Sequence, residues 1–86
     1  MKMIIVIVKD QDADALTQVL TEGAFRVTRV ASTGGFLRSG VVTLLVGVDD
    51  SHVDQAIGLM RAKLGSGTAQ PRATLFVVPV ERFEQV

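Results

Sequence analysis

Met3-Ile4-Ile5-Val6-Ile7-Val8 is a run of six apolar residues, five of them β-branched, closed off by Lys9-Asp10. Branching at Cβ favours a pleated strand over a helix. Both alternating faces are apolar, with Met3, Ile5 and Ile7 on one and Ile4, Val6 and Val8 on the other. Such a strand belongs in the middle of a sheet, covered on both sides. The run is far too short to span a bilayer and shows no signal-peptide cleavage pattern. The same character returns in Val41-Val42-Thr43-Leu44-Leu45-Val46-Gly47-Val48. Gly47 within this second central strand signals either a bulge or the close approach of a backbone or ligand.

Working outward, Asp10, Asp12 and Asp14 follow the first strand, and Leu16, Val19 and Leu20 recur at helical spacing. This predicts a helix over 13–22, with Asp12 as N-cap and Gly23 as a left-handed stop. Residues 25–31 carry Arg26, Thr28 and Arg29 among apolar positions, a mixture suited to an edge strand. After the second central strand, Ser51 with Asp54 resembles a capping box. Val53, Ala56, Ile57, Met60 and Leu64 then form a helical stripe, which Gly65 ends. The Gly/Ser/Thr-containing stretch 65–72 connects it to a last strand over 73–80, which Pro79 assigns to an edge. Glu81 to Val86 form a short amphipathic tail, with no repeat or linker anywhere.

The order is therefore β-α-β-β-α-β, an α+β ferredoxin-like sandwich: a four-stranded antiparallel sheet with two helices on one face, in a single domain over 1–86. The first and third strands are central in that topology, and they are the two most apolar segments. Two helices cover only one face of the sheet. At 86 residues, roughly 63% of the unfolded surface can be buried. Yet the chain is 48% hydrophobic and 21% charged, with a mean hydropathy of +0.38. The surplus predicts an apolar sheet face covered by further copies of the chain.

Composition removes whole classes of function. Nine basic residues balance nine acidic ones, so no electrostatic footprint for nucleic acid polymers or anionic membrane exists. With no Cys there is no disulfide framework and no thiolate zinc site, which fits a reducing cytoplasm. One His leaves little for nucleophilic or metal chemistry, and His52 reads as a solvated helix position. Met60 reads as core, and Phe76 and Phe83 as core or interface aromatics. Strand directions put the 32–40 and 65–72 connections at one end with Asp10 and Asp12, and Asp49 and Asp50 at the other. The two acidic clusters cannot share a metal, and both read as helix starts.

The most informative stretch is Thr33-Gly34-Gly35-Phe36-Leu37-Arg38. Consecutive glycines free backbone amides to face an anion, and Arg38 and Arg26 suit phosphate. No Walker pattern follows. From the residues alone, a plain hairpin loop and a ligand loop both fit.

Met1-Lys2-Met3-Ile4-Ile5-Val6-Ile7-Val8, Phe25-Arg26-Val27-Thr28, the run from Ala31-Ser32-Thr33-Gly34-Gly35-Phe36-Leu37-Arg38 to Ser39-Gly40, and Thr74-Leu75-Phe76-Val77-Val78-Pro79-Val80-Glu81-Arg82-Phe83 resemble the PII-like cyclic-di-AMP receptor family over nearly the whole chain. The resemblance implies a bacterial signalling protein without catalytic chemistry. It would be a ferredoxin-like homotrimer that holds a nucleotide, cyclic-di-AMP or another adenine nucleotide, in clefts between subunits and relays its presence to a protein target. Matching site positions are Arg26, Thr28, Gly35, Phe36, Leu37, Gly47, Phe76 and Gln85. Amides of 35–37 and the Thr28 hydroxyl would meet phosphate or base, while Phe76 and Phe36 would border adenine and Arg26 would supply charge. No resident cofactor or metal is implied.

Two departures motivate an alternative. Typical members carry Asn where this chain has Val41, and the loss of one base-recognition hydrogen bond costs about 1–3 kcal/mol. Typical members also carry a longer connection where this chain has only residues 65–72. The alternative is a ligand-free homotrimeric assembly module that has lost cyclic-di-AMP binding. An acylphosphatase-like enzyme on the same fold would need an Asn to position water, and the chain has none.

Overall fold

A computed structural model describes residues 1–30, 40–65 and 71–86. The chain runs β1 (Lys2–Lys9), α1 (Asp10–Glu22), β2 (Arg26–Val30), β3 (Val41–Val48), a 3-10 turn (Asp50–His52), α2 (Val53–Leu64) and β4 (Ala73–Pro79). The strands form one antiparallel sheet in the order β2-β3-β1-β4. The two most apolar strands are central and the two mixed ones are edges, as the sequence predicts. β3 passes through Gly47 in unbroken register, with Met3 opposite Gly47 and Lys2 opposite Val48, so the glycine does not mark a bulge.

The core lies between the sheet and the helices. Ile4, Val6, Val8, Val42, Leu44, Val46 and Val48 bury the even-numbered face of β1 and β3. Ala13, Leu16 and Leu20 meet them from α1, and Ala56 and Met60 from α2. Each fully buried branched side chain contributes about 1.5–3 kcal/mol relative to exposure. Gly65 ends α2 as expected, at φ +84° with its N–H bonded to the Arg61 carbonyl at 3.0 Å.

Among the described residues, the opposite face of the sheet carries no helix. Parity places three cross-strand rows on it: Arg26–Gly47–Met3–Val78, Thr28–Leu45–Ile5–Phe76 and Val30–Thr43–Ile7–Thr74. Phe76 is 52% exposed there, so it is not a core residue within one chain.

The helix starts differ from the sequence expectation. α1 begins at Asp10, so Asp12 lies inside the first turn, and Lys9 is the N-cap without a side-chain bond. Asp12 is buried because Arg72, across the fold, donates to its Oδ1. Gly23 has φ −80°, and the left-handed residue is Ala24 at φ +69°. Gly23 packs closely on α2, where an added Cβ would come within 2.8 Å of Leu59 Cδ1 and the end of that side chain would have to shift. The capping box at Ser51 does not form. The 3-10 turn precedes α2, neither start has a side-chain cap, and Asp50 instead holds the Met1 amine at 2.9 Å.

Candidate functional site

The sheet's open face and the C-terminal tail together build a concavity of about 400 Å³. Its floor is the first cross-strand row. Arg26 and Thr28 are two apart on β2 and so project to the same face, opposite Gly47 and Leu45 on β3. Met3 continues the floor on β1. Beyond β4 the pairing with β1 runs one step further, where Val80 N–H donates to the Met1 carbonyl at 3.0 Å. Val80 and, from the tail that follows it, Phe83 and Gln85 form the wall. Gly47 provides the depth, because a side chain there would stand in the floor: its Cβ would meet the Met1 methyl at 3.1 Å.

The lining has the composition of a site for a flat, partly anionic molecule. Met1, Met3, Leu45, Val80 and Phe83 give an apolar surface; Arg26 gives a cation, Thr28 a hydroxyl and Gln85 an amide. Among the described residues, no carboxylate pairs with Arg26. The volume lies within the usual range of small-molecule sites.

Four of the sequence-derived positions, Arg26, Thr28, Gly47 and Gln85, therefore lie together in one chain. Phe76 does not join them. It shares the Thr28 row but sits three strand spacings away, roughly 14 Å. Gly35, Phe36 and Leu37 lie outside the described residues. β2 ends at Val30 and β3 begins at Val41, at the end of the sheet opposite Arg26 and Gly47. Val41 itself pairs with Lys9, roughly 20 Å along β3 from Gly47. Phe83 is a site residue that sequence reasoning misses, because an aromatic in an irregular tail has no periodicity to place it. Met1 and Met3 escape as well, because the apolar run that contains them reads as core.

A second concavity of about 470 Å³ shares Met1, Arg26 and Gly47 and opens toward Gly23, Phe25, His52 and Gln55. It is the more polar of the two. The Phe25 and His52 rings meet edge to face, with centroids 6.4 Å apart, and His52 Nδ1 lies 3.8 Å from Asp49. Asp49 and Asp50 are at this end, whereas Asp10 and Asp12 are at the other, as strand direction requires. Among the described residues, no cluster of three metal-ligating side chains occurs, and no helix is long and apolar enough to cross a membrane.

Comparison with known proteins agrees with this architecture. A structure described as that of a functionally unknown protein from Pediococcus pentosaceus ATCC 25745 superposes with a TM-score of 0.78 at 28% identity, covering 99% of this chain and 96% of the other. The family model described as "Cyclic-di-AMP receptor" matches residues 1–70, which include Arg26, Thr28, the 35–37 run and Gly47 but not Phe76 or Gln85. The chain belongs to the cyclic-di-AMP receptor family of PII-like signalling proteins, a receptor family rather than an enzyme family.

Proposed function

We propose that the chain is a homotrimeric signalling protein that binds cyclic-di-AMP, or a related adenine nucleotide, where two copies meet, and presents the loaded state to a protein target. The observation that carries the reading is the placement of Arg26, Thr28 and Gly47 side by side on an open apolar face, with Gln85 beside them. A phosphate would face Arg26 and the Thr28 hydroxyl, and a base would lie on the Met3, Leu45 and Phe83 surface. Phe76 is too far away to join these groups within one chain. A neighbouring copy would supply it, so the complete site requires assembly. The uncovered rows of Met3, Ile5, Ile7, Leu45 and Phe76 give such assembly its driving force.

Titration calorimetry with cyclic-di-AMP, cyclic-di-GMP, ATP, ADP and AMP tests the reading. Heat with at least one adenine nucleotide is expected, and none with any of them would end it. Val41, without a donor or acceptor at the entry to β3, favours the second reading, a homotrimeric module that acts without ligand. Protein purified from its host under native conditions and then denatured distinguishes the two. Released adenine nucleotide supports the receptor, and trimers free of nucleotide support the module.

A further inference from the structure

The second concavity, of about 470 Å³, has polar groups that the nucleotide reading leaves unused. Its volume suits a small molecule. Charge is sparse and balanced there. Among the described residues, Arg26 is the only lysine or arginine in its lining and Asp49 the only carboxylate. Arg26 is exposed, and no described carboxylate pairs with it. Asp49 is available as well, since its side chain is 79% exposed and its contact with His52 Nδ1 is a loose 3.8 Å. On the sheet, Arg26 stands opposite Gly47, and Asp49 lies two residues beyond Gly47 on extended backbone, at φ −68° and ψ 150°. The two are therefore diagonal neighbours, a spacing of roughly 7–8 Å, across a residue with no side chain of its own. Beside them, Phe25 and Val48 offer apolar surface, and Gln55, exposed in the first turn of α2, offers an amide.

We propose that this concavity is a site for an α-amino acid, with the carboxylate on Arg26 and the ammonium on Asp49. One cation and one anion a diagonal apart match a molecule that carries both charges around one carbon. A guanidinium holds a carboxylate through two parallel hydrogen bonds, and an aspartate holds an ammonium through charge-assisted ones. A dianion or a second phosphate would be repelled by Asp49, and a simple amine by Arg26, so the balanced pair selects the zwitterion. The side chain of the amino acid would face Phe25, Val48 and the Gln55 amide. Arg26 also lines the first concavity, again as its only described lysine or arginine. One guanidinium cannot serve a carboxylate on one side and a phosphate on the other at full strength. Amino acid and nucleotide therefore weaken each other, by the same factor in both directions. The site itself stands without the nucleotide reading, and only the mutual weakening rests on it.

The chain has a single histidine, and His52 lines the second concavity but not the first, so its imidazole C–H signals report on the proposed site. Proton NMR of the full chain at constant pH, without nucleotide, follows these signals as each standard amino acid, acetate or methylamine is added at millimolar concentration. Saturable movement with at least one amino acid, and none with acetate or methylamine, is expected. No movement with any amino acid overturns the site, and movement with acetate as large as with the best amino acid overturns the zwitterion. Arg26→Gln and Asp49→Asn, both at exposed positions, are each expected to weaken that amino acid about tenfold. Parental affinity in either variant removes its residue from the site and overturns the assignment. If a variant loses its far-ultraviolet circular dichroism, the titration of the parent decides. Calorimetry then measures the best-bound adenine nucleotide with and without saturating amino acid. A several-fold loss of nucleotide affinity is expected, and unchanged affinity overturns the sharing of Arg26. If no nucleotide binds at all, the nucleotide reading fails and the His52 titration alone decides the site.

Discussion

Arg26 on β2 and Gly47 on β3 are register partners on the open face of the sheet, and the side chain missing at Gly47 leaves a hollow beside the arginine that the Met1 methyl partly fills. Gly47 has no positive φ, so no backbone conformation demands a glycine there. Its value lies in space. Gly47→Val should therefore fold as well as the parent, because β-branched residues suit strands. It should abolish binding of whichever nucleotide the parent binds. Thermal melting and calorimetry on the same preparations measure both, and retained affinity would show that the ligand does not enter the hollow.

Thr28→Val separates chemistry from shape. The swap keeps the branched outline on an exposed strand position and removes the hydroxyl. Stability should change by less than about 0.5 kcal/mol, the usual range for a surface substitution. Nucleotide affinity should fall about tenfold, the effect of removing a single hydrogen bond from the bound state. Equal affinity for the two proteins would remove Thr28 from the site.

Ala24 is a non-glycine residue at φ +69°, between α1 and β2. The left-handed region costs an L-residue roughly 1–2 kcal/mol, which glycine avoids at some cost in unfolded-state entropy. Ala24→Gly should stabilise the protein by about 0.5–1 kcal/mol in urea unfolding. Gly23→Ala should change stability much less, since its φ of −80° suits any residue and only the end of the Leu59 side chain has to shift. If Ala24→Gly is destabilising, the turn is not strained.

These turns also show what the sequence could and could not reveal. Periodicity and branching were enough to place β1, β3 and the stripes of both helices, since burial of Ile4, Leu44, Leu20 and Met60 follows directly from spacing. The helix ends were not legible in the same way. Asp12 has the chemistry of a cap, but its use depends on Arg72, sixty residues away, and no local pattern carries that pairing. Gly23 likewise looks like a left-handed stop, yet the left-handed residue is Ala24, one position on. Arg26, Thr28 and Gly47 could be nominated through family resemblance, but only strand register shows that they are neighbours. Phe83 enters the site because the tail after Val80 lies against Met1, Met3 and Leu45, which composition does not encode.

Asp50 accepts a hydrogen bond from the Met1 amine, and chiefly for that reason its carboxyl titrates below the ordinary value of 3.8. A carboxylate depressed by folding adds stability above its unfolded pKa and loses it as pH falls through the folded one. Asp50→Asn should therefore lower Tm slightly at pH 6, and the gap from the parent should close as pH falls through the depressed pKa of the folded carboxyl. Both partners are exposed, so the gap should also shrink in high salt. A difference in Tm that is constant from pH 6 to pH 2.5 would mean that the ion pair does not contribute.

Ile5 lies at the centre of the open face, between Leu45 and Phe76 in the same cross-strand row, and its neighbours Met3 and Ile7 flank it along β1. Among the described residues no helix packs on this row, whereas the helix-side row beneath it is fully buried at Ile4, Val6 and Leu44. Ile5→Asp would put a charge into any interface formed there, at a cost of several kcal/mol per copy if it stays ionised and unpaired. Within a single chain the same aspartate can reach water, so the fold should survive. Sedimentation velocity should show the parent as a stable oligomer at micromolar concentration and Ile5→Asp as a monomer with unchanged far-ultraviolet circular dichroism. If the proposed site between copies is right, nucleotide binding should disappear with the oligomer, since Phe76 stands roughly 14 Å from Thr28 within one chain. A monomeric Ile5→Asp that binds nucleotide with parental affinity would show that one chain holds the whole site.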